Sequence, residues 1–366
     1  MTKKKSGSVQ LGTIGALVVM CVFLAVANSN FYSYSNIMSI LKQTTFNAFL
    51  AVGMLLCLIT AGIELSVGAN AVFCACVMGA MNKAGVTNGI LMMVVAILIG
   101  GIVGFVNGTL LTRLHLPHPF VSTLGMKNVL WGLALVVTGN QMVNNFPTSV
   151  QWLGQSTING FPVGFIVIIV QYVVMHIFLS KTALGRSIYC AGGNMEATRL
   201  SGINTANVLT FCYTMSGIMA ALAGIYSVGR SGICNGANAT QPYDTDAIAA
   251  CIIGGASFNG GKGTMFGTML GCLIIAVLRN GFTLLSIDSA IQNVVLGLVI
   301  ILAVLMDVMR QEMEAKRRRL AAANKLFFDR TIHLLTNSLK CCIKIAWGLS
   351  PMLFCLLGTF SNVPHP

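Results

Sequence analysis

The sequence predicts an all-α, polytopic integral membrane protein, and three observations carry that reading. Only 8% of the 366 residues are charged, against roughly 25% in a soluble domain, while 55% are hydrophobic. The mean hydropathy is +0.81, and several apolar runs are long enough to cross a hydrocarbon core of about 30 Å. The net charge of +13 gathers at Lys3-Lys4-Lys5, in 181–199 and from Arg310 to Lys344, as the cytoplasmic flanks of membrane helices do.

Ten apolar segments follow in order: 11–27, 46–63, 66–81, 89–111, 120–137, 161–179, 208–228, 246–257, 263–285 and 291–308. The first, Leu11–Ala27, follows a basic start; without a small-x-small cleavage site behind it, it reads as a transmembrane helix rather than a leader. The segment 66–81 is rich in Gly and Ala, and 246–257 has only about a dozen residues, so both suit broken or re-entrant helices. If all ten cross from a cytoplasmic amino end, the loops 112–119, 180–207, 258–262 and everything after 309 fall inside with most of the Lys and Arg. The uncharged loop 138–160 falls outside, and both termini are expected in the cytoplasm. Residues 1–319 then form the membrane domain. The tail 320–366, with an interrupted apolar run at 343–360, has no assigned role.

Glycine clusters in GGIVGFVNG (100–108), GIMAALAG (217–224) and GTMFGTMLG (263–271), where small residues three or four apart let helices approach closely. GFVNG (104–108) and VLRNG (277–281) form a faint internal echo of the kind found in two-repeat transporters. Most of the twelve cysteines lie in apolar runs and read as small packing residues rather than a disulfide set.

Enzymatic chemistry finds little support. The histidines 115, 118, 176, 333 and 365 have no metal-ligand spacing, and His115 and His118, in a loop with Arg113, read as interfacial polar groups. FNGGKGT (258–264) fails as a phosphate loop twice, with Ala256 in place of the first glycine and Gly263 in place of the hydroxyl; it reads as a flexible Gly-rich turn. The most informative polar stretch is SKTALGRSIYCAGGNMEATRLSGI (180–203). Asn194 is a good N-cap, Glu196 falls in the first turn, Arg199 near the end, and Gly202 stops the helix, which predicts a short helix over 195–201. On those grounds it is either a plain loop helix or a knob that docks into another protein.

GRSIYCAGGNMEATRLSGI, YTMSGIMAALAGI, YDTDAIAACIIGGASFNGGKGTMFGTMLGCLI and VVLGLVIILAVLMD, in that order after GIELSVGA and GFVNGTLLTRLHLPHPFVSTLGM, resemble the permease subunit of bacterial sugar-uptake ABC transporters of the ribose, xylose and galactose type, over about 40–308. The resemblance implies a permease in the bacterial inner membrane paired with a second copy or a sister permease. It further implies cytoplasmic ATP-binding subunits that hold the ATP, so that this chain needs no cofactor, and an external sugar-binding protein. Gly185, Arg186, Gly193, Asn194, Glu196, Arg199 and Gly202 then match the family's coupling loop. The chain departs from the family in having Glu64 where Asp is usual and Asp244-Thr245-Asp246 where Glu-Leu-Asp is usual; both keep the charge.

Glu64 is the only acidic residue before 180. A carboxylate inside a bilayer must be paired, solvated or protonated, so Glu64 is expected to cap the helix starting near Ser66, to pair with a base such as Arg113, to line the path, or to be the coupling carboxylate of an ion-driven carrier, the alternative to an ABC importer. Asn107, Asp246, Asn280 and Asn293 are further candidates for the path or for interhelix hydrogen bonds, as are Lys127, Asn128 and Arg279.

Overall fold

The computed structural model describes residues 3–114, 116, 118–313, 315–317, 319–320, 336 and 338. Its helices are α1 (Lys3–Ala27), α2 (Tyr34–Ile59), α3 (Val67–Lys83), α4 (Gly89–Thr112), α5 (Pro119–Thr138), α6 (Thr148–Gln155), α7 (Val163–Lys181), α8 (Ala183–Gly193), α9 (Met195–Leu200), α10 (Thr205–Ser231), α11 (Tyr243–Ile253) and α12 (Met265–Leu284). A two-residue hairpin (Thr157–Ile158 with Phe161–Pro162) precedes α7. Another helical run, Ser289–Arg317, follows α12. The expected reading of 320–366, and those of His115, His333 and His365, lie outside the described residues apart from Leu320, Thr336 and Ser338.

Eight helices among the described residues are long and apolar enough to span a membrane. The two expected segments missing from that set are α3 and α11, the ones whose length and composition suit broken helices. Local sequence explains where the helices start. Ser33 accepts from Asn36 N–H, Asn88 from Leu91 N–H, Asn204 from Asn207 N–H and Thr264 from Gly267 N–H, each satisfying an orphan donor of a first turn. His118 caps α5 through Nδ1, and Gly139 and Gly232 close α5 and α10 in the left-handed conformation. α2 begins twelve residues before the expected segment at 46, because the polar Lys42 and Gln43 belong to a helix largely shielded by protein.

The core of the 1–304 unit is built on α2 and α10, where Phe49, Leu50, Met54, Leu55, Tyr213 and Tyr226 are fully buried. Each glycine cluster marks a close approach. A Cβ on Gly104 would stand 2.2 Å from Tyr213 O, and one on Gly217 2.1 Å from Gly100 O, so α4 and α10 touch backbone to backbone. Gly271 meets Ala250 O at 1.9 Å by the same measure, joining α12 to α11. Outer faces such as Val18, Val19 and Phe23 on α1 and Val170, Val173 and Ile177 on α7 remain exposed, as a lipid-facing surface requires.

The loops sort to two ends. At one, Ile59 O accepts from Gly261 N–H at 2.8 Å, and Tyr189 Oη donates to Gly263 O at 2.8 Å. At the other, Lys83 Nζ donates to Thr138 O at 2.8 Å, Asn82 Nδ2 to Asn144 O at 2.9 Å, and Val143 bridges Cys234. These are the loops that the charge pattern assigns to the inside and the outside respectively.

Candidate functional site

The first site is the α7–α10 connection. Thr182 caps α8 by accepting from Gly185 N–H at 2.9 Å, and a Cβ on Gly185 would stand 2.5 Å from Phe178 O, so this glycine lets the chain fold back on α7. α8 is two-sided: Ile188 and Ala191 are buried, while Arg186 is exposed and donates to Lys181 O at 3.2 Å. At its end, a Cβ on Gly192 would fall 1.6 Å from Ile59 O and 2.7 Å from Gly261 N. Only glycine fits that approach. The turn 258–263, expected to be flexible, is instead pinned by the hydrogen bonds to Ile59 and Tyr189, with Gly260 and Gly261 at φ +75° and +67°.

α9 stands off this platform. Asn194 accepts from Ala197 N–H at 2.9 Å, Thr198 is turned inward, and Gly202 (φ +81°) ends the helix. Glu196 and Arg199 form a 2.7 Å pair in solvent, and Met195 and Leu200 are exposed, Leu200 by 78%. A Cβ on Gly193 would meet nothing within 4 Å. Of the seven residues expected here, Gly185 and Gly202 shape the backbone, Asn194 caps it, and Arg186, Gly193, Glu196 and Arg199 are presented outward. Gly192, Tyr189 and Leu200 were not singled out by sequence; a glycine beside another glycine carries no local sign of which one touches a neighbour.

The second set is polar and interior. Glu64, 2% exposed, accepts from Ser66 N–H at 3.0 Å, from the Ser66 hydroxyl, and from Asn107 Nδ2 at 3.2 and 3.3 Å; Asn107 Nδ2 also donates to Ser66 Oγ at 2.9 Å. The expected pairing with Arg113 does not occur: among the described residues Glu64 has neutral donors only. It also sits just before α3, whose N-cap Ser66 it fixes. Asp246 receives Arg279 Nε and Nη2 at 2.9 and 2.8 Å, and Asp244 receives Lys127 Nζ at 2.9 Å. Asn280 exchanges amide hydrogen bonds with Asn36, at 3.0 and 2.7 Å. Asn107 and Asn280, in the two halves of the internal echo, thus both make long-range hydrogen bonds, Asn107 to the loop ahead of α3 and Asn280 to α2. Asn293 is exposed on Ser289–Arg317.

Beside the Asp246–Arg279 pair a cavity of about 360 Å³ opens between α2, α10, α11 and α12, with Gln43, Asn47, Tyr226 and Gln241 among its walls. A smaller one of about 140 Å³ adjoins it, and Phe46 and Tyr243, in edge-to-face contact at 4.9 Å between centroids, line both.

Residues 36–304 match the protein family described as branched-chain amino acid transport system / permease component. The chain is 36% identical over 301 residues to the ribose import permease protein of Escherichia coli strain K12, covering 81% of this chain and 92% of that one. It is 33% identical to the D-allose transport system permease protein of the same strain (79% and 88% covered) and 32% identical to the galactose/methyl galactoside import permease protein of Salmonella typhimurium strain LT2 (83% and 96%). No solved structure matches the chain.

Proposed function

Since the chain belongs to the family of branched-chain amino acid transport system / permease components, we propose that it is the membrane-spanning permease of an ATP-driven ABC importer. It sits in the bacterial inner membrane, and its cargo is a sugar or related polyol received from an external binding protein. The sugar class rests on relatives named for ribose, allose and galactose, which align over about four-fifths of the chain.

The observation that carries the coupling role is α9. Its Met195, Glu196, Arg199 and Leu200 are exposed among the described residues, and behind it α8 abuts the end of α2 and the α11–α12 turn backbone to backbone. A partner closing on ATP would press α9, and the Gly192–Ile59–Gly261 contact would pass that displacement to α2, α11 and α12, the walls of the cavity. ATP is held by the partner subunits, two permeases form the pore, and both termini face the cytoplasm.

The test is reconstitution with ATP-binding subunits and the external binding protein, following labelled D-ribose, D-allose and D-galactose. ATP-dependent uptake of at least one is expected, with Leu200→Asp abolishing uptake while the permease still assembles. Uptake by the permease alone on a proton gradient, or uptake of branched-chain amino acids in place of sugar, would overturn the proposal.

A further inference from the structure

Two residues on the wall of the cavity of about 360 Å³, Gln43 and Asn47, each carry a polar atom that the fold leaves unused. Gln43 Oε1 and Asn47 Nδ2, one turn apart on α2, are buried without a hydrogen-bond partner among the described residues, and Asn47 is only 8% exposed. A buried acceptor and a buried donor left unpaired weaken a fold unless something outside the fold satisfies them. Side-chain amides turn on a soft terminal torsion, so both can be offered to an occupant of the cavity. One acceptor and one donor a helical turn apart form the complement of adjacent hydroxyl groups, each of which gives and takes a hydrogen bond.

The remaining walls narrow the occupant further. Phe46 and Tyr243 supply aromatic surface for the C–H face of a ring, and the volume lies within the range of about 300–1,000 Å³ typical of small-molecule sites. Arg279 is already taken, in two hydrogen bonds, by Asp246, so the interior carries a compensated charge; the other lining base, Arg230, is exposed. We propose that this cavity is a station on the transport path that reads adjacent hydroxyls of a neutral, ring-shaped polyol through Gln43 and Asn47, so that the permease itself selects. This rests on the importer reading above, and adds to it a binding step inside the membrane.

The experiment uses the complete reconstituted importer with labelled D-ribose, D-allose and D-galactose, comparing wild type, Gln43→Leu and Asn47→Leu for sugar moved, ATP hydrolysed and melting temperature. Uptake per ATP is expected to fall about tenfold in each variant, as loss of a hydrogen bond to the cargo would give. The melting temperature should hold or rise, because an unpaired polar group has been replaced by an apolar one. Wild-type uptake per ATP in both variants would overturn the station and leave the importer standing. A parallel fall of uptake and melting temperature in both would assign the amides to the fold and also overturn it. If wild type moves none of the three sugars on ATP, both readings fall. Preference for D-gluconate over D-ribose at the permease would overturn the neutral class.

Discussion

The two short helices α3 and α11 begin side by side, with a Cβ on Gly68 reaching within 2.9 Å of Tyr243 Cβ, yet they hold their carboxylates in opposite ways. Glu64, ahead of α3, is surrounded by hydroxyl, amide and backbone donors. Asp244 and Asp246, in the first turn of α11, each hold a base, Lys127 from α5 and Arg279 from α12. Neutral donors satisfy a carboxylate without fixing a countercharge, so its replacement by an amide disturbs little. An ion pair in a poorly solvated site ties two elements together, and losing one member strands the other. α11 is thus braced by charge on two sides, whereas α3 is seated by hydrogen bonds and small-residue packing.

The largest effect should therefore come from Arg279→Leu, which leaves Asp246 buried without its base and should cost about 3 kcal/mol. Thermal unfolding of the detergent-solubilised protein reads this, and Asp246→Leu added to Arg279→Leu should recover most of the loss. Should the single variant lose no more than an amide swap at Glu64, the contrast breaks. Asn107→Leu comes next, at about 2 kcal/mol, since it removes a donor from a buried charged group and leaves Ser66 as the side-chain donor. The smallest effect is expected for Glu64→Gln, about 1 kcal/mol or less, because the amide oxygen still accepts from Ser66. Sugar uptake should keep its pH profile in that variant; a selective loss of proton dependence would instead favour an ion-driven carrier.

Much of the fold was legible in the sequence because its signals are local. Long apolar runs had to become helices, Asn194 had to cap α9, and Gly202 had to end it, whatever the chain's other parts did. The shortness of α3 and α11 could be read from composition alone. The site was less legible, and for a physical reason. Gln43 lies ahead of the apolar segment that marks α2 and Asn47 at its very start, where polar residues look like a flank until α10, α11 and α12 enclose them. Glu64 invited a basic partner, and Arg113 was the natural guess on the same predicted side, but the donors that reach it are Ser66, two residues on, and Asn107 on α4.

The membrane environment, the helices and their ends were already written in the sequence, since hydropathy and capping act within a few residues or along a single span. The packing of distant segments settled which of the adjacent Gly192 and Gly193 bears the α8 contact, which bases hold Asp244 and Asp246, and that Gln43 and Asn47, on the wall of a cavity, each keep one polar atom unpaired among the described residues. Those outcomes depend on which helices meet at angström distances, and close approach between distant segments leaves no mark in either segment read alone.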